Sequence, residues 1–362
     1  MRLETYVFGA HATGDPFTDR QCGRYSGQAD VPAAWAARHV VATSTKRSFS
    51  SSRTSSKLTM GLAIHSSVPR AKPQRPPSKR IGDAIADLGV RYAAEMNESD
   101  FAVALRTRHL SHRSYTAFIA TMYPLVVGFN RALIRSIAKV DHVRNSSFVR
   151  VLSRQLDEEQ AHNQLWRAML EVFDVDHEAL YDDFDEFLRG FSPEQLDAHT
   201  RDVTLAVRRD LGAGAGTQFP GSLFPDAVIA LYHHLWMSAT DGDVSYWEHF
   251  AGQAGIEMVI YDVVTQSILP GVLGHPELDR GVASTHWWLE HGQPPDPAAR
   301  RAIDEEKHLA LSRIALNRSE TANALSHVVE QRAEDTLRLF AASLIAQRPT
   351  DHAFPIERYL KS

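Results

Sequence analysis

Two short runs in the sequence place a histidine three positions after a glutamate. They are Glu159/His162 and Glu305/His308. Residues three apart share one face of a helix, and Glu-x-x-His pairs that point into a helical bundle are the ligand pairs of carboxylate-bridged two-metal sites. With 18 histidines in the chain, roughly one such pair is expected by chance, so the spacing alone is weak evidence. Whether the pairs are evidence for a metal site depends on which face of its helix each pair occupies.

The segment Ser147–Phe173 predicts one helix around the first pair. Its apolar residues recur at three- and four-residue steps and form an inward stripe, which Glu159 and His162 share. An ionised carboxylate on a core face is costly unless it is paired or binds a metal. The pattern therefore predicts that this helix carries part of a non-haem metal site.

Further candidate ligands lie on later helices. Glu257 sits on the apolar face of one predicted helix, and His291 ends another. Each has an ordinary alternative role: Glu257 as half of a buried ion pair, His291 as a hydrogen-bonded histidine at a helix end, and Glu305/His308 as a surface pair. Together the candidates are three carboxylates and three histidines, a set that suits iron or manganese better than zinc or calcium.

Two adjacent pairs are reserve candidates. His233 and His234 are neighbours, and a helix with a single buried face cannot turn both inward, so we treat them as packing residues with one as a reserve ligand. Glu248 and His249 are also reserves.

Composition excludes several classes of protein. The chain has 362 residues with ordinary hydrophobic and charged content, and its single cysteine, Cys22, excludes an internal disulfide framework and cysteine-based metal sites. That suits a cytoplasmic protein. The N-terminus lacks the apolar core of a secretory signal. The longest uncharged run, Ser114–Asn130, is interrupted by Pro124, which favours a buried helix over a membrane span.

Charge divides the chain into a basic N-terminal segment, residues 1–82 (the head), and an acidic remainder, residues 83–362. Residues 1–82 hold 13 Lys/Arg against 4 Asp/Glu, whereas the remainder holds 26 against 40. The head lacks periodicity and is rich in Ser and Pro, which predicts a disordered tail; a true translation start at Met60 is the alternative. We expect a folded domain over 83–348 and a C-terminal tail over 349–362. Because the folded part is acidic, a nucleic-acid partner is not expected.

From Ile81 onward the hydrophobic pattern is almost wholly helical. Strand-like alternation is absent, which predicts an all-α bundle of about eight helices.

The order of these residues resembles a known family, the heme-oxygenase-like di-iron oxidases and oxygenases, which are iron-containing redox enzymes. The similarity covers roughly residues 100–345 and rests on short motifs. These are the apolar helix with Tyr123, the run Glu158-Glu159-Gln160-Ala161-His162, the lead Gly252-Gln253-Ala254-Gly255-Ile256-Glu257, the stretch Trp287-Trp288-Leu289-Glu290-His291, and Glu305-Glu306-Lys307-His308.

The resemblance implies a heme-oxygenase-like all-α fold and an O₂-dependent enzyme with two Fe²⁺ ions. It makes six residues the iron ligands: Glu159, His162, Glu257, His291, Glu305 and His308. Two departures from the family pattern concern the second iron. The proline-containing segment Gly292–Ile303 separates His291 from Glu305, and the predicted helix Tyr115–Val140 contains no Asp or Glu, with Asn130 as the nearest polar substitute.

The implied reaction is N-oxygenation or C–H or C–C oxidation of a small amine, amino acid or carboxylic acid, in specialised metabolism. The expected partners are this substrate and O₂, with a second copy of the chain as a further candidate and no membrane. Two alternatives stay open. One is a cofactor-free helical enzyme or ligand-binding module with the same bundle; the other is a non-catalytic interaction protein that uses the acidic surface of Asp174–Glu186.

Overall fold

The structure, a computed structural model, confirms the all-α class. Its regular elements in the described residues are all helical, and strand-type pairing there is limited to one bridge between Val175 and Leu360. The predicted disordered tail falls largely on residues 1–78, which lie outside the described residues. The structure describes residues 79–143, 146–216, 222–293, 305–348 and 354–361.

Thirteen α-helices lie in these described ranges, more than the eight or so that the sequence predicts, because several are short. The first begins just before the predicted domain start at 83. They are α1 Ile81–Asn97, α2 Asp100–Arg106, α3 His112–Ile137, α4 Ser146–Val172, α5 His177–Arg189, α6 Pro193–Val207, α7 Asp226–Thr240, α8 Tyr246–Val263, α9 Leu269–Val272, α10 Val282–His291, α11 Glu305–Arg318, α12 Glu320–Ala324 and α13 Ser326–Ile345.

Helix α8 lies in the middle of the bundle and packs closely against α13. Two glycines allow the approach. A Cβ at Gly252 would meet the Thr336 Oγ1 atom at 2.8 Å, and a Cβ at Gly255 would meet Leu337 Cδ1 at 3.1 Å. The glycines that precede Glu257 in the sequence therefore serve helix packing.

Helix α3 is a long, largely buried helix of 26 residues. By length and composition it could cross a membrane, with a mean hydropathy of 1.4 over its best window, but 72% of that window is buried inside the protein. It packs against α4 and α7 as a core helix, as the sequence predicts for this segment. Pro124 lies inside the helix without ending it.

A single turn of π-helix (the π-turn) over Val264–Ile268 joins α8 to α9. Such a turn adds one residue to the helical repeat and is common near functional sites. Polar contacts hold it: the Ser267 hydroxyl donates to the Asn97 side-chain oxygen and accepts a hydrogen bond from Arg106 at 2.9 Å. The turn is thus fixed to α1 and α2.

Gly271, just beyond the π-turn, lies against the backbone of α2. A Cβ there would meet the Leu105 carbonyl oxygen at 2.5 Å. Because backbone cannot move aside as a flexible side chain can, we expect Gly271→Ala to lower the free energy of unfolding by about 2 kcal/mol. Gly242→Ala is the matched control, since no atom lies within 4 Å of its Cβ position. Urea denaturation measures both variants, and equal stabilities would contradict the packing argument.

The C-terminal segment 354–361 packs onto the bundle, whereas the sequence places it in a tail over 349–362. Phe354 and Tyr359 are buried, and their rings stack with centroids 5.6 Å apart. The Tyr359 carbonyl accepts a hydrogen bond of 2.7 Å from the N–H of Asp176, the residue that caps α5. The packed body therefore continues past the predicted domain end.

Candidate functional site

Helices α4, α8 and α10 bring four of the six predicted ligands to the wall of one cavity. The cavity has a volume of about 100 Å³. Its walls come mainly from apolar and aromatic side chains of α3, α4, α7, α8, α10, α13 and the π-turn. The ionisable residues among the described lining are Glu159, His162, Glu257 and His291.

The first pair projects from α4 as the sequence predicts. Glu159 Oε2 lies 3.3 Å from His162 Nδ1, and each side chain is 13% exposed. Asn130 of α3, the nearest polar substitute for the missing acid, contacts the backbone of α4. Its side-chain amide donates a 2.8 Å hydrogen bond to the Glu159 backbone carbonyl. Asn130 therefore fixes the backbone of α4 at the residue that carries the carboxylate.

Glu257 is held by a residue that the sequence reasoning missed. The Gln155 Nε2 atom donates a 2.7 Å hydrogen bond to Glu257 Oε1, and both residues are buried. Gln155 lies four positions before Glu159, one turn earlier on the same stripe of α4. This four-residue spacing is the sequence feature that could have placed Gln155 beside the candidate ligands. Carboxylate ligands of metals are commonly oriented by such hydrogen-bond donors.

His291 combines a helix-end role with a place in the cavity wall. Its Nδ1 atom lies 2.8 Å from the Trp287 carbonyl oxygen, which can only accept, so Nδ1 carries the proton. Its ring stacks on the Trp287 ring at 3.7 Å and lies 4.3 Å from the His162 ring, centroid to centroid. In the neutral form of this imidazole the lone pair is on Nε2, which is the state that a metal ligand requires.

The C-terminal end of α10 packs against the π-turn and hydrogen-bonds to it. A Cβ at Gly292 would meet Val264 Cγ1 at 2.5 Å, so only glycine permits this approach. The N–H of Gln293 donates a 3.0 Å hydrogen bond to the Thr265 hydroxyl. The π-turn thus positions His291 as well as lining the cavity.

The second Glu-x-x-His pair begins helix α11, but the side chains of Glu305 and His308 lie outside the described residues, as does 294–304. In the described part of the chain, no group of three or more His, Cys, Asp or Glu side chains is arranged to hold a metal. The donor types present, carboxylate and imidazole, suit iron or manganese. The described part of the wall thus carries side chains of metal-ligand type, but no three of them are grouped closely enough to hold an ion.

Three tryptophans pack edge to face beside His291. The Trp166 and Trp287 rings lie 4.6 Å apart at 87°, and Trp287 and Trp288 lie 4.7 Å apart at 84°. Trp166 Nε1 donates to the Ile119 carbonyl at 3.0 Å, and Trp288 Nε1 donates to the Tyr115 hydroxyl at 2.8 Å. These rings form a rigid aromatic wall.

The reserve histidines of α7 lie away from the cavity, and the expectation that only one faces inward was wrong. His233 and His234 are 3% and 7% exposed. His233 Nε2 lies 2.7 Å from Asp197 of α6, and His234 Nε2 lies 3.0 Å from Thr336 of α13. Both are buried because α7 is enclosed between α6 and α13.

The other reserve candidates, Glu248 and His249, also make hydrogen bonds within the fold away from the cavity. Glu248 completes a capping box with Ser245 at the start of α8. His249 Nδ1 lies 2.8 Å from the Ser238 hydroxyl, which donates to the Leu235 carbonyl and therefore accepts from the imidazole. Neither residue lines the cavity.

Comparison with known protein families finds no match, and a search of curated proteins finds none either. Among solved structures, the chain is similar to a TenA homolog from Pseudomonas syringae pv. tomato str. DC3000. The identity is 16% and the TM-score is 0.46, over 77% of this chain and 98% of that chain. The all-α class rests on the helices described above, and the heme-oxygenase-like di-iron family stays a prediction from the sequence.

Proposed function

We propose that the protein is a non-haem iron enzyme that uses O₂ to oxidise a small substrate in the cavity between α4, α8 and α10. One observation carries this proposal: the ionisable side chains on the described cavity wall are two carboxylates and two imidazoles, all singled out by sequence as ligands. An apolar wall interrupted only by metal-ligand types is what a metal-dependent oxidation site requires.

In this proposal Glu159, His162, Glu257 and His291 hold iron, with Glu305 and His308 of α11 as the remaining ligands. Bound iron would supply the activation of O₂. The protein's own contribution is orientation: Gln155 holds the Glu257 carboxylate by its 2.7 Å hydrogen bond.

The apolar wall has a second role. It excludes water from the reacting groups, which strengthens each electrostatic interaction at the site and prevents side reactions. It also limits the substrate to a small molecule with a largely apolar body. The substrate classes that the family resemblance implies, small amines, amino acids and carboxylic acids, include such molecules.

A metal-free enzyme or ligand-binding module is the second candidate function. It is favoured by the finding that the described residues contain no closed group of three metal ligands. In that case Glu159, His162 and His291 would contact an organic ligand directly and exchange protons with it.

Iron content separates the two candidates. We expect the full chain, purified anaerobically with ferrous iron, to hold close to two iron atoms per chain, as carboxylate-bridged sites do. Glu159→Gln removes a ligand charge with little change in shape and should weaken iron binding at least roughly tenfold. Glu158→Gln is the matched control. Glu158 is the residue before Glu159 on α4, and its side chain is 44% exposed and forms an ion pair with Arg154.

Two results would contradict the iron proposal. One is wild-type protein without bound iron under reducing conditions; that result would leave the metal-free candidate. The other is an equal loss of iron from both variants, because the effect would then not depend on the cavity wall.

A further inference from the structure

Trp287 carries a hydrogen-bond donor for which the described part of the chain supplies no acceptor. Its Nε1 atom is buried and has no hydrogen-bond partner among the described residues, and the residue is 6% exposed and lines the cavity. The neighbouring Trp166 and Trp288 line the same cavity, and both of their Nε1 atoms donate to protein oxygens. Of the three indoles, Trp287 is the one whose N–H lacks a partner among the described residues.

A buried indole N–H is normally paired, because leaving a buried donor unsatisfied costs about 1–3 kcal/mol. Trp287 cannot easily turn to find another acceptor. Its ring stacks on His291 at 3.7 Å and meets the rings of Trp166 and Trp288 edge to face. The donor is therefore held in place before any ligand arrives, so little conformational entropy is lost when an acceptor binds to it.

We propose that the Trp287 Nε1–H group is the substrate-recognition donor of the cavity, and that it binds a neutral acceptor oxygen on a small, otherwise apolar molecule. Ketone, amide and ester carbonyl oxygens are of this kind. A neutral acceptor fits better than a carboxylate because the described lining contains no Lys or Arg side chain that could pair with a negative charge on the ligand. Among the substrate classes of the proposed function, this favours amino-acid derivatives whose carboxyl group is masked.

This inference rests on the proposed function only for the use of the cavity as a substrate site. Its test requires no metal and no turnover. A protein that binds iron but shows no preference for an acceptor oxygen would contradict the inference alone; a protein that shows the preference without iron would contradict the proposed chemistry alone.

The test compares two ligands of the same shape, cyclopentanone and methylenecyclopentane, which differ in a carbonyl oxygen against a CH₂ group. Calorimetry on the full chain gives the ratio of their dissociation constants. The variant Trp287→Phe removes the unpaired donor, and Trp166→Phe is the matched control, since it makes a similar void in the same wall but removes a donor that already has a partner.

We expect the relative affinity for the ketone to fall roughly fivefold in Trp287→Phe, the contribution of one hydrogen bond, and to persist in Trp166→Phe. An unchanged ratio in Trp287→Phe, or an equal fall in both variants, would overturn the proposal.

A measurement on the wild type keeps the proposal testable if Trp287→Phe fails to fold. In protein labelled with ¹⁵N-tryptophan, the Trp287 indole N–H resonance should shift when cyclopentanone is added, and shift much less with methylenecyclopentane. Equal shifts with the two ligands, or no shift with either, would overturn the proposal.

Discussion

Lowering the pH from neutrality to about 4.5 should remove roughly 5 kcal/mol of stability through two histidines alone, His234 and His249. Burial lowers the pKa of both imidazoles from 6.5 to about 3, since the charged form would lose its hydration. Nearby positive charge acts in the same direction, from Arg332 at His234 and from Lys139 at His249.

The direction of the effect follows from where the protons bind. In the unfolded chain both histidines take up a proton as the pH falls through 6.5, whereas in the folded protein they stay neutral until about pH 3. Stability is therefore retained above 6.5 and lost progressively between these values. The loss is about 1.4 kcal/mol per pH unit for each histidine.

Urea denaturation at a series of pH values measures this slope. His234→Gln and His249→Gln should each remove the contribution of one proton, whatever their effect on stability at neutral pH. His109→Gln is the control, because His109 is exposed. If the slope below pH 6.5 is the same in the wild type and in both buried variants, the assignment to these histidines is wrong.

Gln155→Glu should be the most disruptive single substitution at the site. It keeps the shape of the side chain but exchanges the donor, 2.7 Å from Glu257 Oε1, for a second buried carboxylate. A buried charge deprived of its partner costs about 3–5 kcal/mol. Burial and the neighbouring carboxylate raise the pKa of the introduced group, so the loss of stability should grow as the pH rises above about 4.3 and be smallest in acid.

The same charge change on the same helix provides the control. Gln160 is exposed on α4, so Gln160→Glu should change the free energy of unfolding by less than about 0.5 kcal/mol. Denaturation of both variants at acid and alkaline pH makes the comparison. An equal loss in the two variants, or a loss in Gln155→Glu without pH dependence, would show that the hydrogen bond to Glu257 is unimportant.

The helices and much of the candidate site could be predicted because both depend on local periodicity. Glu159 and His162 follow from the stripe of α4, Glu257 from the apolar face of α8, and His291 from the end of α10. Each of these predictions depends only on the position of the residue within a single helix. That these faces meet at one cavity is a property of the packing, which the sequence suggests only through the family resemblance.

Contacts between distant helices were not predictable in the same way. Gln155 and Glu257 are 102 positions apart, and nothing local to either pairs them. His233 and His234 are both buried because α7 has neighbours on more than one side, whereas the helical pattern assumes a single buried face. The π-turn inserts one residue into a continuous helix and leaves no periodic signal in so short a stretch.

The cavity has a consequence for how the protein responds to hydrostatic pressure. Unfolding eliminates internal voids, so it lowers the volume of the system by tens of mL/mol, in proportion to the void space lost. Part of that space here lies between α3, α4, α8 and α10. A molecule that fills the cavity should therefore make the protein less compressible and raise the pressure at which it unfolds.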